Sequence, residues 1–215
     1  MRLRNIPGAR DEIAASPFVI PESTMREKKG HWDTVFDPAQ PLYLEIGMGK
    51  GRFITEMALR HSDRNYVGIE KYSSVLVRAL EKRQQQKDMT NLLFLRMDAE
   101  DLTDVFGPEE VAGIYLNFSD PWPKDRHAKR RLPGREFLAR YEQILIPGGS
   151  VEFKTDNRVL FDIALDEARE KGWIISACTF DLHNDQEMVR GNIMTEYEER
   201  FSAQGNPICK MILTH

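Results

Sequence analysis

Short apolar runs alternate along this chain with stretches of helical periodicity. Leu42-Tyr43-Leu44-Glu45-Ile46 reads as a buried strand that stops at Gly47, and residues 53–61 read as the helix after it. Residues 65–70 repeat the strand pattern. Residues 73–87 repeat the helical one, with Val75, Leu76, Ala79 and Leu80 on one face and Ser73 or Ser74 as the cap. Further strands are predicted over 92–97, 111–117 and 149–154, and further helices over 135–145 and 158–171. Residues 173–180 and 208–214 read as a closing antiparallel pair. Successive strand–helix units predict parallel strands joined by crossovers. The fold class is therefore α/β, a doubly wound sheet of seven strands, mostly parallel, with an antiparallel pair at its C-terminal end. Prolines at 7, 17, 21, 38 and 41 make the first ~40 residues irregular. Residues 1–40 read as an N-terminal arm with one short helix, and 41–215 as the folded domain. In such sheets ligands lie beyond the carboxyl ends of the strands, so the loops after Ile46, Glu70, Met97, Asn117 and Lys154 are expected to share one rim.

Composition narrows the class. A chain of 215 residues, 41% hydrophobic and 30% charged, is long enough for one well-formed core and too apolar for disorder. Two cysteines, Cys178 and Cys209, exclude a disulfide scaffold and a four-cysteine zinc site, and both are expected as small core residues. No metal site is expected. No apolar run has the length of a membrane helix, and the N-terminus has no signal-peptide core, so the expected setting is cytoplasmic. Net charge is −4, but it is unevenly spread. Residues 124–135 hold six bases against one acid, while 162–199 hold ten acids against three bases. One concentrated basic loop on an acidic protein points to a confined polyanion contact.

The first predicted strand ends in Glu45-Ile46-Gly47-Met48-Gly49-Lys50-Gly51. Glycines there permit a tight turn and close approach of a ligand to the backbone, next to the free N–H groups of a helix start. Arg52 stands where a dinucleotide fingerprint needs glycine or alanine, the phosphate-loop pattern is absent, and Glu45 would repel a pyrophosphate. An acid suits a cation. Glu70, ending the second strand, can accept both hydrogen bonds of a ribose diol, and Asp98, after the third, can accept from an adenine amino group. A ligand with a sulfonium, an ammonium and a diol but no phosphate fits these acids, and S-adenosylmethionine is one. The glycine loop with its acids resembles the class I S-adenosylmethionine-dependent methyltransferases, whose sheet is Rossmann-like.

Asn117-Phe118-Ser119-Asp120-Pro121-Trp122-Pro123-Lys124 follows the fourth strand. Its two prolines stiffen a loop that presents an acid and an aromatic, which looks like a base-binding wall. The basic run follows at once. Phe153-Lys154-Thr155-Asp156-Asn157 ends the fifth strand, and Thr195-Glu196-Tyr197-Glu198 precedes the last. Glu196 and Glu198 read either as helix-surface acids or as acceptors for a purine N–H edge. In this order and spacing the motifs resemble the bacterial tRNA guanine-N7 methyltransferase family over roughly residues 30–214. The resemblance implies methyl transfer from S-adenosyl-L-methionine to N7 of guanine 46 in the tRNA variable loop. It implies donor contacts from Glu45, Gly47, Gly49, Gly51, Glu70, Asp98 and Asp120, and substrate contacts from Lys124, Asp156, Thr195, Glu196, Tyr197 and Glu198. It also implies RNA contacts from Arg126, Lys129, Arg130 and Arg131, in a monomer or homodimer. Guanine N7 has a lone pair and no proton, so no base is obligatory. Asp120 is the candidate catalytic carboxylate, acting by electrostatics and positioning. A small-molecule methyltransferase would leave the basic run without a purpose, a non-catalytic RNA-binding module would not need the acids, and Arg52 argues against a nicotinamide enzyme.

Overall fold

The computed structural model describes residues 6–215; the first five residues of the expected arm lie outside it. The strands are β1 (Val19–Ile20), β2 (Leu42–Ile46), β3 (Asn65–Ile69), β4 (Leu92–Leu95), β5 (Val111–Asn117), β6 (Leu145–Thr155), β7 (Ile174–Thr179) and β8 (Cys209–Thr214). They form one sheet in the order β1-β4-β3-β2-β5-β6-β8-β7. The β6–β8 and β7–β8 pairs are antiparallel and the others parallel. After β1 at the edge, the chain enters the middle of the sheet at β2, steps outward through β3 and β4, then returns to lay β5 and β6 on the other side. The reversal falls between β2 and β5.

Among the described residues eight strands replace the seven expected from sequence. The addition is β1, two residues that pair with Phe94 and Leu95; a run this short carries no alternation to detect. The helices are α1 (Ala9–Ala15), α2 (Arg52–Arg60), α3 (Ser73–Gln84), α4 (Leu102–Val105), α5 (Arg135–Ile144), α6 (Arg158–Glu170) and α7 (Glu196–Ser202). Tyr72 rather than Ser73 or Ser74 caps α3, with no side-chain capping bond.

Alternation along the strands feeds two cores. Tyr66 and Phe94 pack with Ile13, Ile54 and Leu80 from α1, α2 and α3. Their neighbours Val67 and Leu95 pack into the opposite face with Leu102, Tyr141 and Phe161 from α4, α5 and α6. Residues 6–40 run along the domain surface and send anchors into it. Trp32 is buried, stacks on Phe106 at 4.7 Å and donates Nε1–H to the Val105 carbonyl at 2.9 Å. Glu110 accepts the backbone N–H groups of Gly30 and Trp32. Cys209 is buried, as expected. Cys178 is exposed, because it lies on the outward face of edge strand β7.

One charged pair is wholly internal. Lys154, near the end of β6, and Glu198 on α7 are both 0% exposed and meet at 2.7 Å. The three ammonium protons of Lys154 have three acceptors: Glu198, the Asn192 side chain and the Ile193 carbonyl. Asn192 in turn donates to the second oxygen of Glu198 at 2.8 Å. Burial pushes the Lys154 pKa down and Glu198 pulls it back only in part. Removing one partner leaves the other charged and buried, which costs about 3–5 kcal/mol, whereas an apolar pair of similar volume is often neutral. Glu198→Ala is therefore expected to lower unfolding stability by about that much in urea titrations, and Lys154→Met with Glu198→Leu to recover most of it. A Glu198→Ala midpoint equal to wild type would show that the pair carries no such weight.

Candidate active site

The reversal between β2 and β5 opens a cleft of about 760 Å³ at the carboxyl ends of the strands, with Gly49, Glu70, Asp98, Asp120, Trp122 and Arg130 among its walls. A smaller hollow of about 220 Å³ continues from it between the glycine loop and α7, with Glu45, Asn117 and Tyr197 in its lining. The loops after Ile46, Glu70, Met97 and Asn117 meet there, whereas the loop after Lys154 lies outside the cleft lining and reaches it only through the Asp156–Tyr197 hydrogen bond.

The glycine loop works as the sequence implies. Gly49 has φ of +58° and open space where a Cβ would be, so the backbone is bare toward the cleft. Gly51 has φ of +71° and lies so close to α3 that a Cβ would stand 2.7 Å from that of Ala79. Any side chain there would push α2 off α3.

The acids differ in environment. Glu45 is 1% exposed. One carboxylate oxygen accepts from the Asn117 amide at 2.8 Å; the other is buried with no partner. Burial raises its pKa to about 8, against the smaller opposing effects of Asn117, Lys154 and the nearby Ile54 backbone N–H. An unpaired, desolvated carboxylate oxygen is a receptor for a cation. Glu70 is also buried and its pKa is raised by desolvation, opposed by backbone N–H groups of Tyr72, Gly49 and Lys71. Its Oε1 accepts the Tyr72 N–H at 2.9 Å. Asp98 is exposed, caps the turn Ala99–Asp101 and lies 3.7 Å from the Lys71 ammonium. Asp120 is exposed on the cleft wall beside Ser119, whose buried hydroxyl has no partner. Acidic acceptors along the cleft and the hollow beside it, with Glu45 left one oxygen unpaired, suit an amino-acid ammonium, a sulfonium and a ribose diol, so the residues present fit S-adenosylmethionine. Among the described residues no group of three or more His, Cys, Asp or Glu is placed to hold a metal ion, and no helix is long and apolar enough to cross a membrane.

The loop after β5 forms the facing wall. Phe118 and Trp122 have φ of 53° and 41°, a region that costs a non-glycine residue about 1–3 kcal/mol. The Arg131 guanidinium donates to the Trp122 carbonyl from Nε and Nη2 at 3.2 and 3.1 Å. Hydrogen bonds from a charged group contribute about 1.5–3 kcal/mol, enough to hold that backbone in place. Arg131 is consequently 5% exposed and is withdrawn from the basic face on which the sequence placed it. Lys124, Arg126, Lys129 and Arg130 are exposed, and the Arg130 guanidinium stacks 5.0 Å over the Trp122 ring.

Helix α7 closes the end. Thr195 caps it by accepting the Glu198 N–H at 2.9 Å. Glu196 pairs with Lys50 at 3.0 Å and Lys82 at 2.6 Å, and Glu199 pairs with Arg52. Tyr197 packs against Phe118 at 5.0 Å and donates its hydroxyl to Asp156 at 3.3 Å. Glu198 points inward to Lys154, which removes it from the substrate surface; the sequence shows a carboxylate one residue after Tyr197 but not the helical turn that buries it. The sequence motifs do not single out Asn117, Lys50, Lys82 or Lys154 as site residues. For Asn117 there is a trace: Glu45 pairs in register with Tyr115, which sets Asn117 just beyond it on the neighbouring strand.

The family model described as a putative methyltransferase matches residues 39–211. A tRNA (guanine-N(7)-)-methyltransferase of Lachnoclostridium phytofermentans is 58% identical over 212 residues, 99% of this chain and 97% of that one. One of Bacillus subtilis is 49% identical over 208 residues, 97% and 96% of the two chains. Among solved structures, the 16S rRNA methyltransferase KamB shares the fold at 16% identity, with a TM-score of 0.59 over 89% of this chain and 91% of that one. Identity at this level, continuous over nearly the whole of both chains, shows that this chain belongs to the tRNA (guanine-N(7)-)-methyltransferase family.

Proposed function

We propose that the protein transfers a methyl group from S-adenosyl-L-methionine to N7 of a guanine in tRNA, that the guanine is position 46 of the variable loop, and that it does so in the cytoplasm. The observation that carries this reading is one cleft with two chemistries. Buried acids line the cleft and the hollow beside it, Glu45 in the hollow with a free acceptor, and Arg130, from the exposed basic run, lines the facing wall with Trp122. When bound, the donor supplies an electrophilic methyl group on a positively charged sulfur. Glu45 would hold its ammonium end, Glu70 the ribose hydroxyls and Asp98 the adenine amino group, with Gly47, Gly49 and Gly51 leaving the backbone open to it. Lys124, Asp156, Thr195, Glu196 and Tyr197 would hold and orient the guanosine. Lys124, Arg126, Lys129 and Arg130 would contact phosphates. Guanine N7 attacks with its own lone pair, so no side chain needs to remove a proton. Asp120 acts on the positive charge that develops in the purine ring, and the chain's main contribution is alignment. The test is to incubate the protein with labelled donor and bulk tRNA and digest the RNA to nucleosides. The label is expected in 7-methylguanosine and is expected to vanish from a tRNA with adenine at position 46. Label in any other nucleoside overturns the reading.

Between pH 4.5 and about 8 the folded protein holds a proton on Glu45 that the unfolded chain releases, so this residue makes stability fall as pH rises through that window. A cationic donor favours the carboxylate. Donor binding at pH 7 should therefore release a proton, and affinity should rise with pH up to about 8 and then level. Calorimetry in buffers of different ionisation enthalpy reads the release, and Glu45→Gln should abolish it.

Asp120→Ala should fold and bind tRNA yet transfer methyl groups about 10²-fold more slowly or worse in single turnover at saturating substrates. A saturated rate within about threefold of wild type would make Asp120 a binding or structural residue.

Arg126→Ala, Lys129→Ala and Arg130→Ala combined should flatten the slope of log tRNA affinity against log salt by about 0.7–0.9 for each phosphate that is no longer neutralised, with donor affinity spared. An unaltered slope would mark the loop as a solvated face.

A further inference from the structure

The basic run is not a uniform polyanion surface. Its residues divide by direction. Arg126 and Lys129 are exposed; Arg130 stacks on the Trp122 ring; Arg131 turns inward, 5% exposed, with Nε and Nη2 both on the Trp122 carbonyl. The partner it grips is itself unusual. Trp122 precedes a proline, a position that favours extended backbone, yet has φ of 41°. The segment between them is short and tied by its own bonds, Arg131 N–H to the Ala128 carbonyl and Gly134 N–H to the Arg131 carbonyl, each at 2.9 Å. Arg131 is thereby anchored to the turn that leads into α5. The consequence at the cleft is that Trp122 is held on the wall that also carries Asp120.

We propose that Trp122 is the surface on which the target guanine stacks, and that Arg131 is a positioning residue that holds that surface in place rather than a phosphate contact. This deepens the function proposed for the cleft and rests on it for the identity of the base. An indole face binds a purine by stacking and gains as the ring becomes cationic, since the aromatic quadrupole attracts positive charge. Arg130 lies over the ring at 5.0 Å and the His127 ring packs against it at 5.6 Å, so the guanine takes the place of the Arg130 guanidinium, which is then free for a phosphate. Lysine at 131 would keep the charge but lose the forked donor that reaches one carbonyl oxygen from two nitrogens.

The chain has three tryptophans, and Trp32 and Trp173 are 3% and 4% exposed, so a base that stacks from solvent reads Trp122 alone. The experiment titrates the tryptophan emission of wild type, Trp122→Phe, Arg131→Lys, Arg131→Ala and Lys129→Ala with an unmodified tRNA transcript at several salt concentrations. It then measures single-turnover methyl transfer, with Trp122→Ala and its double variant with Arg131→Lys included. Wild type is expected to lose emission on tRNA binding, and Trp122→Phe to lack that response. Arg131→Lys is expected to bind tRNA with the wild-type salt slope, keep its donor affinity, lose more than half of the emission response and transfer methyl groups about tenfold more slowly. In the Trp122→Ala background it should add no further loss, because both changes remove one element. The proposal fails if Arg131→Lys keeps the full response and rate, if Arg131→Ala lowers the salt slope by about one as Lys129→Ala does, or if the two rate losses multiply. If Arg131→Ala does not fold, the charge-conserving variant still decides. A wild type that makes no 7-methylguanosine overturns the functional reading instead, and the emission titration, which needs no methyl transfer, still tests the stacking and the role of Arg131.

Discussion

The reversal of strand order between β2 and β5 is the constraint on which the rest of this molecule depends. On one side of it the chain adds β3 and β4, with α2 and α3 packed over one face; on the other it adds β5 and β6, with α5 and α6 over the opposite face. The loops leaving β2 and β5 must therefore part, and the gap between them is the cleft. Glu45 and Asn117 join across this point through their side chains at 2.8 Å, so the hydrogen bond that bridges the diverging strands is also the floor of the site.

A charged site at the end of a dry sheet has to be stabilised from within. Lys154 and Glu198 saturate each other beneath α7, while Lys50, Lys82 and Arg52 hold that helix by its exposed acids. The exposed pairs are screened by water and salt and individually contribute little. The internal pair is insulated and sets the seating of the helix. Tyr197 and Thr195 inherit their positions over the cleft from that seating. Charge is thus paired where the structure needs rigidity and withheld on Glu45, where burial keeps the carboxyl protonated up to about pH 8.

The two sides of the cleft solve opposite problems. The donor side is bare backbone and buried carboxylate, shaped by glycines that tolerate positive φ. The facing side holds Phe118 and Trp122 at positive φ without glycine and keeps them there with a buried guanidinium and the tilted packing of Phe118 on Tyr197. Local strain of this kind persists only where surrounding contacts over-determine it, and it concentrates where a fixed geometry matters more than local stability.

Much was legible in the linear chain. Alternating strand and helix periods determined the α/β class and most element positions. The glycine loop with Glu45, Glu70 and Asp98 at successive strand ends pointed to a cationic, phosphate-free ligand. Residues 117–124, 153–157 and 195–198 carried the family likeness. These features are legible because they are local: periodicity, turn chemistry and residue type act over a few positions. Tertiary structure alone decided the rest. It added β1 as a two-residue edge, bound residues 6–40 to the domain through Trp32 and Glu110, and exposed Cys178 on an edge strand. It turned Arg131 and Glu198 inward from motifs that had suggested a substrate surface. A carboxylate or guanidinium in sequence declares its charge but not its direction. Direction is set by which partner lies within hydrogen-bonding distance, and Arg131 and Glu198 meet theirs, Trp122 and Lys154, only after the chain has folded back on itself.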